Sequence, residues 1–272
     1  MRSVFSAGIL DGFLTQAFNP FDFTIGVSAG ACNLASYIAG VQQQSLQIYL
    51  DFALHKEFIN YARFFRGGHL LDLDWISEQA FRTSTLSLTD AVLDAKPLYV
   101  CVTQVSSGIP VYIRTTLDNL KSVLKASSAL PLIYRDFPSV DGEAMTDGGV
   151  AQGIPVAEAI RMGATRIMVI RSRHKYYKKK DTLGHKFIRW KMRHYPALLA
   201  TLRERVKIHN ESIALIRRPP PGVRIVEICP PETFVLGRFT RTRQHLLSGY
   251  QVGVDGAAQA IGQWRLVEAQ QS

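Results

Sequence analysis

An apolar run that ends in a glycine-flanked serine and turns at once into a helix leaves a chain few ways to fold. Residues Phe23-Thr24-Ile25-Gly26-Val27-Ser28-Ala29-Gly30-Ala31 have that form, and small residues continue at helical spacing to Ala39. The segment predicts a buried strand, a sharp turn with Ser28 at its apex, and a helix. A turn this tight strains the backbone at the serine, so Gly26 and Gly30 are expected where a Cβ would clash. The helix beginning after Ser28 aims the free N–H groups of its first turn, that of Ala29 among them, at the serine oxygen. That is where negative charge develops in acyl transfer. Gly-x-Ser-x-Gly alone is weak; the strand before it and the helix after it give it meaning.

The rest of the chain alternates strands and helices. Helical spacing at Phe5, Ile9, Phe13 and Ala17 predicts a helix over 4–18, ended by Asn19-Pro20. Further helices are expected at 46–58, 74–81 (capped by Asp72 or Asp74), 117–129, 155–162, 185–195, 197–215 and 241–267, with a loop at 63–69. Strands are expected at 97–105, 110–114, 143–146, 166–170 and 223–228, the first of them central because it is β-branched and aromatic throughout. This order predicts an α/β fold, a three-layer α/β/α sandwich around a mainly parallel sheet. At 272 residues, with no repeat or low-complexity linker, 1–272 reads as a single domain. Its core is about 2–170, with the basic segment 171–195 and the C-terminal helices packed on it.

Charge is concentrated. The net charge is +10, and between Arg171 and Arg193 there are ten Lys or Arg against one acid, Asp181, so that segment alone carries about +9. Around Lys178-Lys179-Lys180, Arg189, Trp190 and Arg193 the residue types suit the headgroup region of an anionic bilayer. A solvated surface helix, packed by Ile188 and Met192, accounts for them equally well. Nucleic acid is not expected, since the rest of the chain is close to neutral and carries no nucleic-acid motif. No run reaches the 18 or so apolar residues of a membrane span, and Asp11 and Gln16 break up the N-terminal region as a signal peptide. A cytoplasmic protein, peripheral on the inner face of the membrane, is the expectation. Cys32, Cys101 and Cys229 lie far apart in apolar runs, with no metal-ligand spacing, and read as buried thiols.

A nucleophilic serine needs a proton acceptor. None of the seven histidines (His55, His69, His174, His185, His194, His209 and His245) sits at a strand end beside a turn motif. Asp147 does: it ends a short strand, and Gly148 and Gly149 leave its carboxylate little steric cover at the edge where parallel-sheet enzymes place their sites. A carboxylate is a weak base at neutral pH, so it would have to touch the serine in a low-dielectric pocket. Asp147-Gly148-Gly149 also fits a plain tight turn.

Gly26-Val27-Ser28-Ala29-Gly30-Ala31 followed far downstream by Asp147-Gly148-Gly149 resembles the bacterial patatin-like phospholipases. Ala126-Ser127-Ser128-Ala129-Leu130-Pro131 and Gly153-Ile154-Pro155-Val156 are similar to that family too, and the resemblance runs from residue 2 to about 170. It implies a Ser28–Asp147 dyad without histidine, hydrolysis of acyl esters of lipids such as phospholipids, and no metal or cofactor. An α/β-hydrolase triad fits less well, because Ser28 comes too early for an elbow preceded by several strands. The family also has a Gly-Gly-Gly-x-Arg/Lys-Gly loop, which supplies oxyanion amides. Here Arg2 falls at the basic position and Ser3 at the last glycine, so the triple glycine and its strand are expected before residue 1. A start misassigned at an internal Met, or a truncation, would explain this. In the second case the protein would be a weakened or inactive lipid-binding member of the family.

Overall fold

The computed structural model describes residues 1–83 and 88–269. Helix α1 (Val4–Thr15) is buried along most of its length, from Val4 to Phe13. A helix apolar on all sides must be covered on all sides, and α11 (Arg243–Ala269) supplies much of that cover. The two backbones come so close that a Cβ on Gly8 would lie 2.1 Å from the Tyr250 carbonyl oxygen. Tyr250 Oη donates to the buried Asp11 Oδ2 at 2.7 Å across the same contact.

β1 (Thr24–Val27) pairs in parallel with β2 (Leu98–Gln104), Gly26 opposite Val100. α2 (Ala29–Ile38) folds back between them and α1, and Asn33 Nδ2 donates to Ser3 O at 2.8 Å and to Ser6 Oγ at 3.1 Å. The helix expected over 46–58 is not continuous. A single turn, α3 (Gln44–Gln47), passes into a π-helical stretch, Ile48–Phe52. The wider turn keeps Leu46, Tyr49 and Ala53 on one buried cluster, and the chain then swings back so that Ile59 bridges Leu71. The expected loop at 63–69 begins inside a short helix, α4 (Tyr61–Phe65), capped by Asn60 Oδ1, which accepts from the Arg63 amide at 2.8 Å. Asp72 caps α5 (Leu73–Thr83) through the Trp75 amide at 2.9 Å; Asp74 instead takes Lys125 and Tyr134. α6 (Asp90–Ala95) was not expected and is capped by Thr89.

β3 (Pro110–Arg114) returns antiparallel along β2. After α7 (Leu117–Ser128), β4 (Ser139–Val140) and β5 (Glu143–Asp147) form a hairpin, and β5 lies antiparallel to β2 on the same edge as β1, end to end with it: Val27 pairs with Cys101 and Asp147 with Val102, while β3 takes the opposite edge. The five-stranded sheet is therefore mixed, which corrects the expectation of mainly parallel pairing within the α/β class. Short connections allow only antiparallel neighbours. Gln104 and Ile109 close the first turn, and Asp141-Gly142, both at positive φ (52° and 80°), make the second.

α8 (Val156–Arg161), β6 (Arg166–Ile170), α9 (Leu183–Lys191), α10 (Pro196–Arg217) and β7 (Arg224–Ile228) complete the chain. β6 and β7 pair in parallel as a separate two-stranded sheet. Their alternate residues face opposite ways: Ile167, Val169 and Ile225 join the cluster under α8 and α10, while Met168, Ile170, Val226 and Ile228 join the main core with α11. Helices thus cover both faces, giving the expected three layers.

Candidate active site

Ser28 sits between β1 and α2 with φ 53° and ψ −134°, a conformation that costs a side-chain-bearing residue about 1–3 kcal/mol and persists only where its surroundings hold it. They do. The Ser28 amide donates to Ser127 Oγ at 2.8 Å, and that fully buried hydroxyl donates onward to Cys101 O at 2.6 Å. A Cβ on Gly26 would lie 2.4 Å from Ala31 Cα, so strand and helix meet there only because residue 26 is glycine. The same expectation for Gly30 is corrected, since a Cβ there would meet nothing within 4 Å. Gly30 lies in the first turn of α2, beside the cavity rather than against the sheet. As first-turn residues, Ala29 and Gly30 have amides with no carbonyl of their own helix to bond.

Asp147 ends β5 and is 3% exposed. Its Oδ2 accepts from Ser28 Oγ at 2.9 Å, and its Oδ1 accepts from the Gly149 amide at 2.7 Å. Its backbone is fixed as well, with N–H donating to Ala129 O at 3.0 Å and C=O accepting from Thr103 Oγ at 2.9 Å. Gly148 is packed so that a Cβ would fall 2.1 Å from Cys101 O, which brings β5 against β2 at the point where the carboxylate emerges. Burial raises the Asp147 carboxyl above the ordinary carboxylate range, opposed by Arg205, the Ser28 hydroxyl, the Gly149 amide and Arg238. Among the described residues no histidine bonds Ser28 or Asp147.

Both residues line a cavity of about 1130 Å³. One part runs between the unpaired edge of β1 and that of β6. Another is apolar, bounded by Tyr49, Ile59, Leu71, Leu73 and Ile76. Beside Ser28 the lining is cationic, with Arg2, Arg173, Lys179, Arg205 and Arg238. Arg205 Nε donates to Gly149 O at 2.8 Å, so α10 bears directly on the loop that holds Asp147.

The structure brings Ser28, Asp147, Gly26, Ala29, Gly30, Arg2, Gly148 and Gly149 together. The basic segment divides. Lys179 is half-buried against the cavity, and Lys180 reaches its rim, while Lys178 points out. Arg189 is held by Asp181 in a two-pronged ion pair at 3.0 and 2.7 Å. Trp190 is 55% exposed, with Lys191 and Arg193 over its ring at 4.9 and 5.1 Å. Sequence reasoning assigned no position in the site to Ser127, Arg173, Arg205, His209 or Arg238. Ser127 lay within a quoted motif and Arg173 within the basic run, but Arg205 and Arg238 carry no local signal.

A second chain with related sequence is the "Uncharacterized protein YjjU" of Escherichia coli (strain K12). It is 35% identical over 238 residues, an alignment that takes in 85% of this chain and 66% of that protein, just under two thirds of its length. Residues 195–267 match the family model described as Domain of unknown function (DUF6363). Residues 1–160, which hold the elbow, the Ser127 brace and the Asp147 strand end, match the model described as Patatin-like phospholipase, and the chain belongs to that family.

Proposed function

We propose that the protein is a serine acyl hydrolase that cleaves acyl esters of lipids through a Ser28–Asp147 dyad. The observation that carries this reading is the 2.9 Å bond from Ser28 Oγ to a carboxylate almost wholly withdrawn from water. Burial makes Asp147 a stronger base than a free aspartate, so it can take the hydroxyl proton as Ser28 Oγ attacks the ester carbonyl. The first-turn amides of α2, with Ala29 foremost, bond the developing oxyanion. Asp147 then returns its proton to the leaving alcohol. In the second half, water loses a proton to Asp147 and attacks the acyl-enzyme; the acyl–Ser28 Oγ bond breaks, Asp147 returns the proton to Ser28 Oγ, and the acid is released. The apolar limb along Tyr49, Ile59 and Leu71 suits an acyl chain. No cofactor is needed for these steps.

Hydrolysis of p-nitrophenyl butyrate by the wild type, Ser28→Ala and Asp147→Asn tests it. Each variant is expected to lose about 10³-fold or more in kcat, and equal rates in all three would overturn the dyad. A second reading, a lipid-binding protein with slow turnover, draws support from the Ser28 amide being occupied by Ser127. That leaves the elbow fewer oxyanion donors, each worth about 10²–10³ in rate. Stoichiometric acylation of Ser28 without turnover would favour it.

We further propose that the outer face of α9, with Phe187 and Trp190, together with Arg193 just beyond it and Lys178 and Lys180 before it, rests on an anionic membrane surface. Among the described residues no helix is long and apolar enough to cross a membrane. We read residues 1–272 as one structural unit because α11 closes over α1.

A further inference from the structure

We propose that Arg173, Lys179, Arg205 and Arg238, with Arg2 opposite, form a subsite for a tetrahedral oxyanion, such as the phosphate of a lipid headgroup, beside the Ser28 nucleophile. The proposal deepens the acyl-hydrolase reading and rests on it for the substrate class.

These cations line the same cavity, and none of them has a carboxylate within ion-pair distance among the described residues. Other basic residues of the same cavity do have one: Lys125 pairs with Asp74, Arg166 with Glu268, and the buried Arg171 with Glu227. The contrast is informative, because a chain that pairs its structural cations has left this group, among the described residues, without a carboxylate partner. Gathering like charges in a half-buried place costs free energy that folding alone does not recover. The strain shows in their titration. Lys179 is held down to about 7, first by burial and then by Arg205 and Arg238, with Asp147 opposing. Arg2 is lowered to about 10 by burial, then by Arg173 and Arg238. A bound dianion would relieve both.

A second observation lies in the same wall. The Nε2 of His209 is buried with no hydrogen-bond partner and lines the cavity. Burial and the neighbouring Lys179, Arg171 and Arg205 lower this imidazole to about 4, so at neutral pH it is uncharged and can donate one N–H to an oxyanion. Tyr177 packs edge-on to His209 at 6.0 Å and carries the Arg173 guanidinium at 4.7 Å, which fixes both groups on one side. Arg205 reaches the dyad through Gly149, whose amide holds Asp147 Oδ1. The subsite is thus continuous, through Arg205 and Gly149, with the Ser28–Asp147 pair.

Most of these residues lie beyond the 1–160 segment that matches the phospholipase family. Arg205, His209 and Arg238 belong to the 195–267 segment that matches a domain of unknown function. The inference gives that segment a role: it completes the wall that reads the anionic end of the substrate.

Titration calorimetry on the full chain carrying Ser28→Ala tests this without requiring turnover, so failure of the dyad and failure of the subsite are distinguishable. The probes are inorganic phosphate and dihexanoyl phosphatidylglycerol below its micellar concentration. Both are expected to bind, and Lys179→Gln and Arg238→Gln are expected to weaken each by about tenfold, as loss of one charge-assisted hydrogen bond does. Among the described residues neither side chain makes a hydrogen bond or ion pair, and thermal melting of each variant checks that the fold is intact. Binding of inorganic phosphate alone, weakened by both substitutions, would support the subsite as one for a free anion. No binding of either probe at millimolar concentration, or binding unchanged by both substitutions, would overturn it.

Discussion

Ser127 Oγ accepts the Ser28 amide at 2.8 Å from 99 residues away in the chain, and so sets the backbone of Ser28 rather than its side chain. The same oxygen donates to Cys101 O on the central strand, so the elbow is tied to β2 through one hydroxyl. A positive-φ serine needs such a tie, because its own backbone energetics favour relaxing.

Ser127→Ala is expected to lower kcat for p-nitrophenyl butyrate by about ten- to a hundredfold with KM nearly unchanged. The buried Ser28 amide loses its acceptor, a penalty of about 1–3 kcal/mol, and Ser28 Oγ drifts from Asp147. Steady-state kinetics check this, and an unchanged kcat would show that the elbow holds its shape unaided.

The pH profile follows from Asp147. Its carboxyl is raised, chiefly by burial, and in the proposed dyad the ionised form is the base. Activity should therefore fall as pH drops through a value above the usual 3.9 or so of aspartate. Arg205 is the foremost charge pulling that carboxyl back down. Arg205→Gln should move the acid limb of kcat/KM to higher pH, measured with the neutral nitrophenyl ester so that anion binding plays no part. A limb that stays in place would remove Arg205 from the electrostatics of the base.

The two glycines of the elbow should respond differently to alanine. At Gly26 the new Cβ would lie 2.4 Å from backbone, so Gly26→Ala is expected to cost at least about 1–3 kcal/mol and lower Tm by several degrees. At Gly30 the space is open and the residue helical, so Gly30→Ala should leave Tm unchanged or raise it, by up to about 1 kcal/mol of helix propensity. Thermal melting of the pair decides it; equal destabilisation would mean that α2 packs more tightly than described.

Local pattern carried much of the fold. The run before Ser28, the β-branched stretch of β2 and the spacing in α1, α7 and α10 each specify an element through their own residues. Asp141-Gly142 was an equally local hairpin signal, and read for its positive-φ preference it would have predicted the antiparallel β4–β5 pair. What local pattern could not carry was assembly. That Arg205 of α10 reaches Gly149 depends on how α10 packs, and nothing around residue 205 encodes it. The basic run misled for a related reason. In an extended segment neighbouring side chains point opposite ways, so Lys179 turns toward the cavity while Lys178 and Lys180 stay exposed. A charge count over the whole run sees one surface where the fold makes two.

The contact between α1 and α11 has a consequence for synthesis. Asp11 and Tyr250, which meet across it, are 239 residues apart, roughly ten seconds to a minute of elongation at about 5–20 residues per second. For that interval the nascent chain carries an almost wholly apolar helix with its cover still unmade. Asn33, on the helix that follows Ser28, leans on the Ser3 and Ser6 end of α1. The support that reaches the elbow's helix through Asn33 is therefore complete only once α11 has packed on α1.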